Sequence, residues 1–459
     1  MKIIICGAGK VGFSIASYLE KSSHDIIVID HSPDLVKEIS ERYDIRAITG
    51  FAADPHVLQQ AGAEDAQMLI AVTQSDEVNM ITCEIANALF KIPMKIARIR
   101  NLAYLSEEWN SLFEEKNISV DVIISPEFEV AKSIYKGLEV SGTTSVTNMA
   151  NDFVKIIGIK CTDKMPIVNT PLNYIESLFP DSHFKIAAIF RGHRLIIPDE
   201  KERLLAGDEV LFLTTEEELA ESMRAFGHLD NQVRRILILG AGNIGLSLAH
   251  LIEKDPIQNT HVRIIEKSKD RAMDVARQLK TIEVLSGDGL DVDLLQDAGV
   301  EHTETIVAIT DDDKVNILAS LLAKQSGAKR AMSLISNPDT IQLVKSLGID
   351  AVVNPREIAV SSILRFVRQG SVDSIYTLRE GMGEIMEIRI TEQSNMIGSF
   401  PHEIDRAHEI MLLAVVRDEH VLLSAPHLIF QLNDRLIVVA KRDSVQDVEK
   451  LFSARMDYF

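Results

Sequence analysis

Cysteine is scarce in this chain. Cys6, Cys83 and Cys161 are the only three, far apart and odd in number, so neither a disulfide framework nor a zinc-ligand spacing fits. Such usage predicts a reducing cytosol. Basic residues are outnumbered, 48 Lys and Arg against 68 Asp and Glu. The net charge of −20 repels nucleic acid and anionic lipid headgroups, so no nucleic-acid partner is expected. No apolar run reaches the roughly 18 residues of a membrane span. The N-terminus enters a strand pattern with no charged leader or cleavage site, and the chain is expected to be soluble. There is no G-x-S-x-G elbow, no phosphate-loop lysine, and no His or carboxylate set at metal-ligand spacing.

What the chain does contain is a duplication. Its 459 residues, 46% apolar and 25% charged, suit about three globular domains. Gly7-Ala-Gly-Lys-Val-Gly12 returns as Gly240-Ala-Gly-Asn-Ile-Gly245, a shift of 233. Residues 50–79 match 287–316 at a shift of 237, with 12 identities in 30 positions, where chance would give about two. The drift between the two shifts places an insertion in the second copy, mostly in the turn-rich stretch Asp255–Thr260, where a loop absorbs it.

Each copy alternates short β-branched apolar runs with longer amphipathic ones. In the first copy the runs are Lys2–Cys6, Asp25–Ile29, Arg46–Thr49, Met68–Val72, Ile96–Ile99 and Val120–Ile124; in the second they are Arg235–Leu239, Val262–Ile265, Glu283–Leu285, Thr305–Ile309, Arg330–Ile335 and Ala351–Val353. Near-continuous apolar character predicts strands buried on both faces, hence a parallel sheet between helix layers and an α/β class. After Pro126 and Pro355 come helical stretches, Glu127–Leu138 and Glu357–Arg368, and then smaller strand-rich units with four expected strands each. The turns Ala206-Gly207-Asp208 and Leu432-Asn433-Asp434 correspond, each leading into a last strand. The expected layout is therefore two doubly wound Rossmann-like domains, 1–125 and 230–354, each followed by a smaller α+β unit, 126–229 and 355–459.

A G-x-G-x-x-G that follows a strand and opens a helix is the context of a dinucleotide site. Gly7 or Gly240 permits the tight turn, Gly9 or Gly242 lets backbone approach a pyrophosphate, and Gly12 or Gly245 lets the helix pack on the strand. Asp30 and Glu266 stand at the end of the second strand of each copy, where a carboxylate accepts ribose hydroxyls. It would also repel a 2′-phosphate, which favours NAD over NADP; ATP or ADP stays open. Thr73-Gln74 and Thr310-Asp311 follow the fourth strands and are candidate contacts to ribose or adenine. Arg98 can pair with phosphate, cap an adenine face, or form an ion pair with a nearby carboxylate. Leu334 takes its place in the second copy, and Asn243 takes that of Lys10, so the two sites are expected to differ in ligand. Asp76 and Asn79, repeated as Asp313 and Asn316, read as helix starts rather than ligands.

A dehydrogenase would need a base and an electrophile in its second domain. None is found, since His183, His193, His402, His408, His420 and His427 are scattered and do not match between repeats. The two glycine loops with Asp30 and Glu266, the paired T-x-x-D-x-x-N segments, and the two small β-rich units together resemble the TrkA family. These are regulatory subunits of bacterial Trk potassium uptake systems, built of tandem RCK (regulator of potassium conductance) modules. The resemblance spans nearly the whole chain. It implies a non-enzymatic cytoplasmic protein, a homotetramer, peripheral on the inner face of the membrane through a potassium transporter subunit of the TrkH or TrkG type, which it gates. It implies NAD or NADH as ligand, with ATP or ADP as regulatory ligands. The contacts it implies are Gly7, Ala8, Gly9, Lys10, Val11, Gly12, Asp30, Thr73, Gln74 and Arg98. In the second copy they are Gly240, Ala241, Gly242, Asn243, Ile244, Gly245, Glu266, Thr310 and Asp311. A dehydrogenase and a regulator of potassium efflux are the alternative readings.

Overall fold

The computed structural model describes residues 1–20, 24–105, 107–113, 117–180, 183–228, 235–257, 260–367, 372–379, 381–423 and 427–452. These fall into two compact units, Met1–Glu129 with Pro355–Ile363, and Val130–Asn354 with Leu364–Phe459.

The first unit is built on a six-stranded sheet of β1 (Lys2–Cys6), β2 (Asp25–Asp30), β3 (Arg46–Thr49), β4 (Met68–Ala71), β5 (Met94–Arg98) and β6 (Val122–Ile124). The spatial order is 3-2-1-4-5-6, and every pairing is parallel. Ile3, Ile4, Ile5 and Cys6 are all fully buried, as a strand covered on both faces must be. The order reverses between β1 and β4, which opens a crevice at their carboxyl ends.

The second unit repeats this sheet with β12 (Arg235–Leu239), β13 (His261–Glu266), β14 (Glu283–Ser286), β15 (Thr305–Ala308), β16 (Arg330–Leu334) and β17 (Ala351–Val353), in the order 14-13-12-15-16-17. It also holds two antiparallel sheets. One consists of β7 (Ser145–Met149), β8 (Val154–Lys160), β9 (Lys185–Arg191), β10 (Arg194–Ile196) and β11 (Glu209–Thr214), ordered 10-9-11-8-7. The other consists of β18 (Val372–Leu378), β19 (Gly383–Arg389), β20 (Ile410–Arg417), β21 (His420–Leu423) and β22 (Arg435–Lys441), ordered 18-19-22-20-21, which is the same topology.

Each small sheet thus has five strands where four were expected. The additions, β7 and β18, lie at sheet edges and carry Asn148, Thr147, Asp373 and Ser374. An edge strand is half solvated, so its sequence lacks the apolar run that marks its neighbours. The expected helices form as Pro126–Glu139 and Pro355–Val367; Arg368 lies outside the described residues. In the insertion, the Asp255 carbonyl accepts a hydrogen bond of 2.7 Å from the Tyr135 hydroxyl, while Gln258 and Asn259 lie outside the described residues.

Both predicted turns form, with Gly207 and Asn433 in the left-handed region at φ 92° and 69°. The aspartate that follows each glycine or asparagine takes a bidentate arginine: Arg191 to Asp208 at 3.0 and 2.9 Å, and Arg417 to Asp434 at 2.8 and 2.7 Å. Both aspartates are buried, so the pairs fix the entry to the last strand of each sheet. The inner faces of the two small sheets share one apolar cluster that includes Val154, Leu211, Phe190, Ile385, Leu413 and Val439. Glu387 of β19 crosses to accept from the Ala150 backbone N–H at 3.0 Å. Arg379 lies 4.1 Å from the centroid of the Phe190 ring and pairs with Glu209.

Arg330, at the amino end of β16, is buried. It donates from Nη1 to the Gly137 carbonyl at 3.0 Å and from Nη2 to that of Thr143. Burial pushes its guanidinium down to about 10. The three cysteines are free and buried, and burial raises the Cys83 and Cys161 thiols to about 12.

Candidate functional site

The glycine loop of each copy is a turn that only glycine can make at two points. Gly7 has φ +114° and Gly240 φ +103°, a region that costs any residue with a Cβ. A Cβ on Gly12 would lie 1.8 Å from the Gly7 carbonyl oxygen, and one on Gly245 would lie 2.1 Å from that of Gly240. At Gly9 and Gly242 the situation reverses. A Cβ there meets nothing within 4 Å, so the protein itself does not demand glycine, and the space lies open over the helix end.

The helices Lys10–Leu19 and Asn243–Lys254 start at these glycines with no side-chain cap and no acidic residue in the first turn. Five other helices carry side-chain caps, at Asp54, Ser75, Ser268, Asp291 and Asp312, while the uncapped helices Pro33–Arg42 and Leu219–Ala225 have Asp34 and Glu221 in their first turns. The two loop helices therefore keep backbone N–H donors and the positive end of the dipole for an anion.

The acidic residues predicted for ribose are held the same way in both copies. Asp30 accepts from the Ala8 N–H at 2.6 Å and from the Ser32 N–H at 2.8 Å. Glu266 accepts from the Ala241 N–H at 2.8 Å and the Ser268 N–H at 2.8 Å. Each carboxylate oxygen thus has one backbone donor and keeps a further lone pair for a hydroxyl. Asp and Glu reach the same two donors although one is a methylene longer, so the loop position, not the side-chain type, is what the fold repeats.

Across the crevice, Thr73 and Thr310 stand two residues past the ends of β4 and β15. Asn79 accepts from the Thr73 N–H at 2.9 Å and its hydroxyl at 2.7 Å, and donates to the Arg98 carbonyl at 2.9 Å. Asn316 does the same to Thr310 at 2.9 and 2.7 Å and to the Leu334 carbonyl at 3.0 Å. Asp76 accepts from the N–H groups of Arg100 and Asn101 at 3.0 and 2.9 Å, and Asp313 accepts from those of Ser336 and Asn337. The helix cap belongs instead to Ser75 and Asp312. Asp76 and Asp313 do begin helices, as their sequence context led one to expect, and with Asn79 and Asn316 they also form clasps that join the carboxyl ends of two adjacent strands at the crevice. Thr73 and Thr310 spend their hydroxyl protons on the clasp and offer a ligand only lone pairs. The Gln74 carbonyl accepts from the Arg100 guanidinium.

Arg98 pairs with Glu127 in the first turn of the helix Pro126–Glu139, the carboxylate option among its expected roles. Leu334, its counterpart, is buried. Lys10 and Asn243 are exposed at the mouths of their crevices. Sequence reasoning missed several neighbours. Arg271 donates to the Ala241 carbonyl at 2.9 Å, His31 and Phe51 stack beside Asp30, and Lys267 pairs with Asp288 beside Glu266. For His31, Phe51, Lys267 and Asp288 a signal was present in the repeat, since they directly follow Asp30, Gly50, Glu266 and Gly287. Among the described residues no group of His, Cys, Asp and Glu can hold a metal ion.

Two Rossmann-type crevices in tandem, with a five-stranded antiparallel sheet following each in sequence, define a duplicated two-part module with the RCK fold. The TrkA-N domain model matches residues 3–126 and 236–355, and the TrkA-C domain model matches 162–227 and 385–453. The chain is 37% identical to a Trk system potassium uptake protein TrkA from Azorhizobium caulinodans and 36% identical to one from Halomonas elongata, each alignment covering 100% of both chains. It belongs to the TrkA family. Its fold is also that of the GsuK RCK domain (TM-score 0.61, 17% identity, 99% of this chain and 95% of that one) and of the GsuK channel bound to NAD (TM-score 0.61, 17% identity, 99% and 79%). No helix among the described residues is long and apolar enough to cross a membrane.

Proposed function

We propose that this chain is a nucleotide-sensing regulatory subunit that gates a membrane potassium uptake transporter and carries out no chemistry of its own. The observation that carries this reading is the doubled geometry: two uncapped helix ends, each beside a carboxylate tied to the loop by the same backbone bonds. A phosphate at the helix and a ribose at the carboxylate account for both features together. NAD or NADH, ATP and ADP all present that phosphate–ribose unit. The relatives carry the name of a potassium uptake system, and the proposed partner is a transporter subunit of the TrkH or TrkG type at the cytoplasmic face.

The proposed assembly is a homotetramer, each chain contributing Rossmann-like parts 1–125 and 230–354 and smaller parts 126–229 and 355–459. A ligand shifts such an assembly only by its differential affinity for two arrangements. Turning a gate from 1:99 to 99:1 takes roughly 5.5 kcal/mol, which eight crevices share as about 0.7 kcal/mol each. Modest discrimination between related nucleotides suffices.

Asp30→Ala is expected to weaken NAD and ADP binding at the first crevice about tenfold or more, the value of one or two charged hydrogen bonds, while Glu266→Ala acts on the second. Titration calorimetry on the full chain, with NAD, NADH, ATP and ADP, measures this. Unchanged affinities in both variants would argue against the crevices as sites. Nucleotide-dependent turnover of a metabolite, or failure to co-purify with a potassium transporter, would argue against the regulatory role.

A further inference from the structure

The two crevices share their backbone and differ beside the carboxylate. In the first, His31 follows Asp30 and Phe51 follows Gly50 at the end of β3. Their rings lie within 16° of parallel with centroids 5.8 Å apart, and Phe51 is 72% exposed. In the second, the same places hold Lys267 and Asp288, joined by an ion pair of 2.8 Å. One crevice is edged by two flat rings, an imidazole whose Nδ1 lies 3.3 Å from Asp30 Oδ1 and a phenyl open to water; the other is edged by two opposite charges that satisfy each other.

An exposed phenylalanine ring contributes little to folding, because most of its surface stays hydrated. Its position suggests another use. In the nucleotide reading above, on which this inference rests, the helix end takes phosphate and the carboxylate takes the ribose. The base leaves the ribose on the side away from phosphate and so falls beyond Asp30 or Glu266, where positions 31 and 51, or 267 and 288, stand. A π-surface there stacks any base, whereas an ion pair offers no such face.

We propose that His31 and Phe51 form a base platform in the first crevice, and that the Lys267–Asp288 pair leaves the second without one. The first crevice then reads the purine base together with ribose and phosphate. The second reads chiefly ribose and phosphate. One chain carries a base-selective sensor and a base-tolerant one.

The test uses the full chain with one crevice silenced at a time, by Glu266→Ala or by Asp30→Ala. The probes are ADP and ribose 5-phosphate, titrated by calorimetry. In the Glu266→Ala background, Phe51→Ala is expected to weaken ADP on the order of tenfold, the size of one lost base–aromatic stack, and to leave ribose 5-phosphate unchanged. In the Asp30→Ala background, Asp288→Phe with Lys267→His is expected to strengthen ADP over ribose 5-phosphate. Phe51 is exposed, so an unchanged melting curve accompanies its variant. Equal weakening of both probes, or no weakening of ADP, overturns the platform alone. A parent chain that binds neither ADP nor NAD overturns the platform and the nucleotide reading together.

Discussion

Gly12→Ala is expected to abolish nucleotide binding at the first crevice and to destabilise the first unit by about 3 kcal/mol, the upper part of the range for overpacking a tight contact. The added methyl would sit 1.8 Å from the Gly7 carbonyl oxygen and 2.9 Å from its carbon. Both are backbone atoms, so no rotamer change relieves the clash, and the helix Lys10–Leu19 must lift off β1. Its amino end then no longer faces the crevice. Gly245→Ala carries the same consequence in the second copy, with 2.1 Å to the Gly240 oxygen. Gly9→Ala is the informative control, since nothing in the protein lies within 4 Å of its Cβ. It should fold as the parent does and lose affinity through crowding of the ligand alone. Denaturant unfolding paired with calorimetry separates the two outcomes, and a Gly12→Ala chain with parental stability would contradict the packing argument.

Asn79→Ala is expected to cost the first unit about 3 kcal/mol, the price of leaving buried polar groups unpaired. The side chain is fully buried, and its removal strands the Thr73 N–H, takes a donor from the Arg98 carbonyl and leaves the Thr73 hydroxyl only its 3.2 Å bond to the Ser75 carbonyl. Asn316→Ala does the same in the second to the Thr310 N–H and the Leu334 carbonyl, and leaves the Thr310 hydroxyl only its 3.4 Å bond to the Asp312 carbonyl. If these asparagines served mainly to touch a ligand, the variants would lose affinity and keep their denaturation midpoints. The clasp predicts the opposite order, stability first.

Much of the architecture was legible in the sequence because its physical causes are local. Buried parallel strands such as Ile3-Ile4-Ile5 cannot be written with polar residues, and a tight phosphate turn cannot be written without Gly7 and Gly12. The repeat then supplied every such feature twice. The edge strands Ser145–Met149 and Val372–Leu378 were not legible, because one half-solvated face lets Thr147 or Ser374 stand where a central strand would need an aliphatic residue. The clasp was not legible for a different reason. Asp76 and Asn79 do lie at a helix start, but their hydrogen bonds run to residues 98–101, and sequence spacing does not reveal a partner on the next strand. Arg98 had several possible roles on composition alone; the structure gives it Glu127. The repeat marks the positions of His31 and Phe51, but not their contact, which is made between two strands that meet only in the sheet.

Strand β16 has a different fitting at each end. Its last residue, Leu334, is held by Asn316 at the crevice, and its first, Arg330, is bolted to the Gly137 and Thr143 carbonyls beyond the opposite edge of the sheet. An extended strand of this length spans roughly 16 Å at about 3.3 Å per residue and has no soft joint along it. One stretch of backbone thus joins the clasp at the crevice to the segment that leads into β7. The first copy has Met94 where the second has Arg330, so the corresponding strand has no guanidinium at that end, and the two repeats are moored to their surroundings differently.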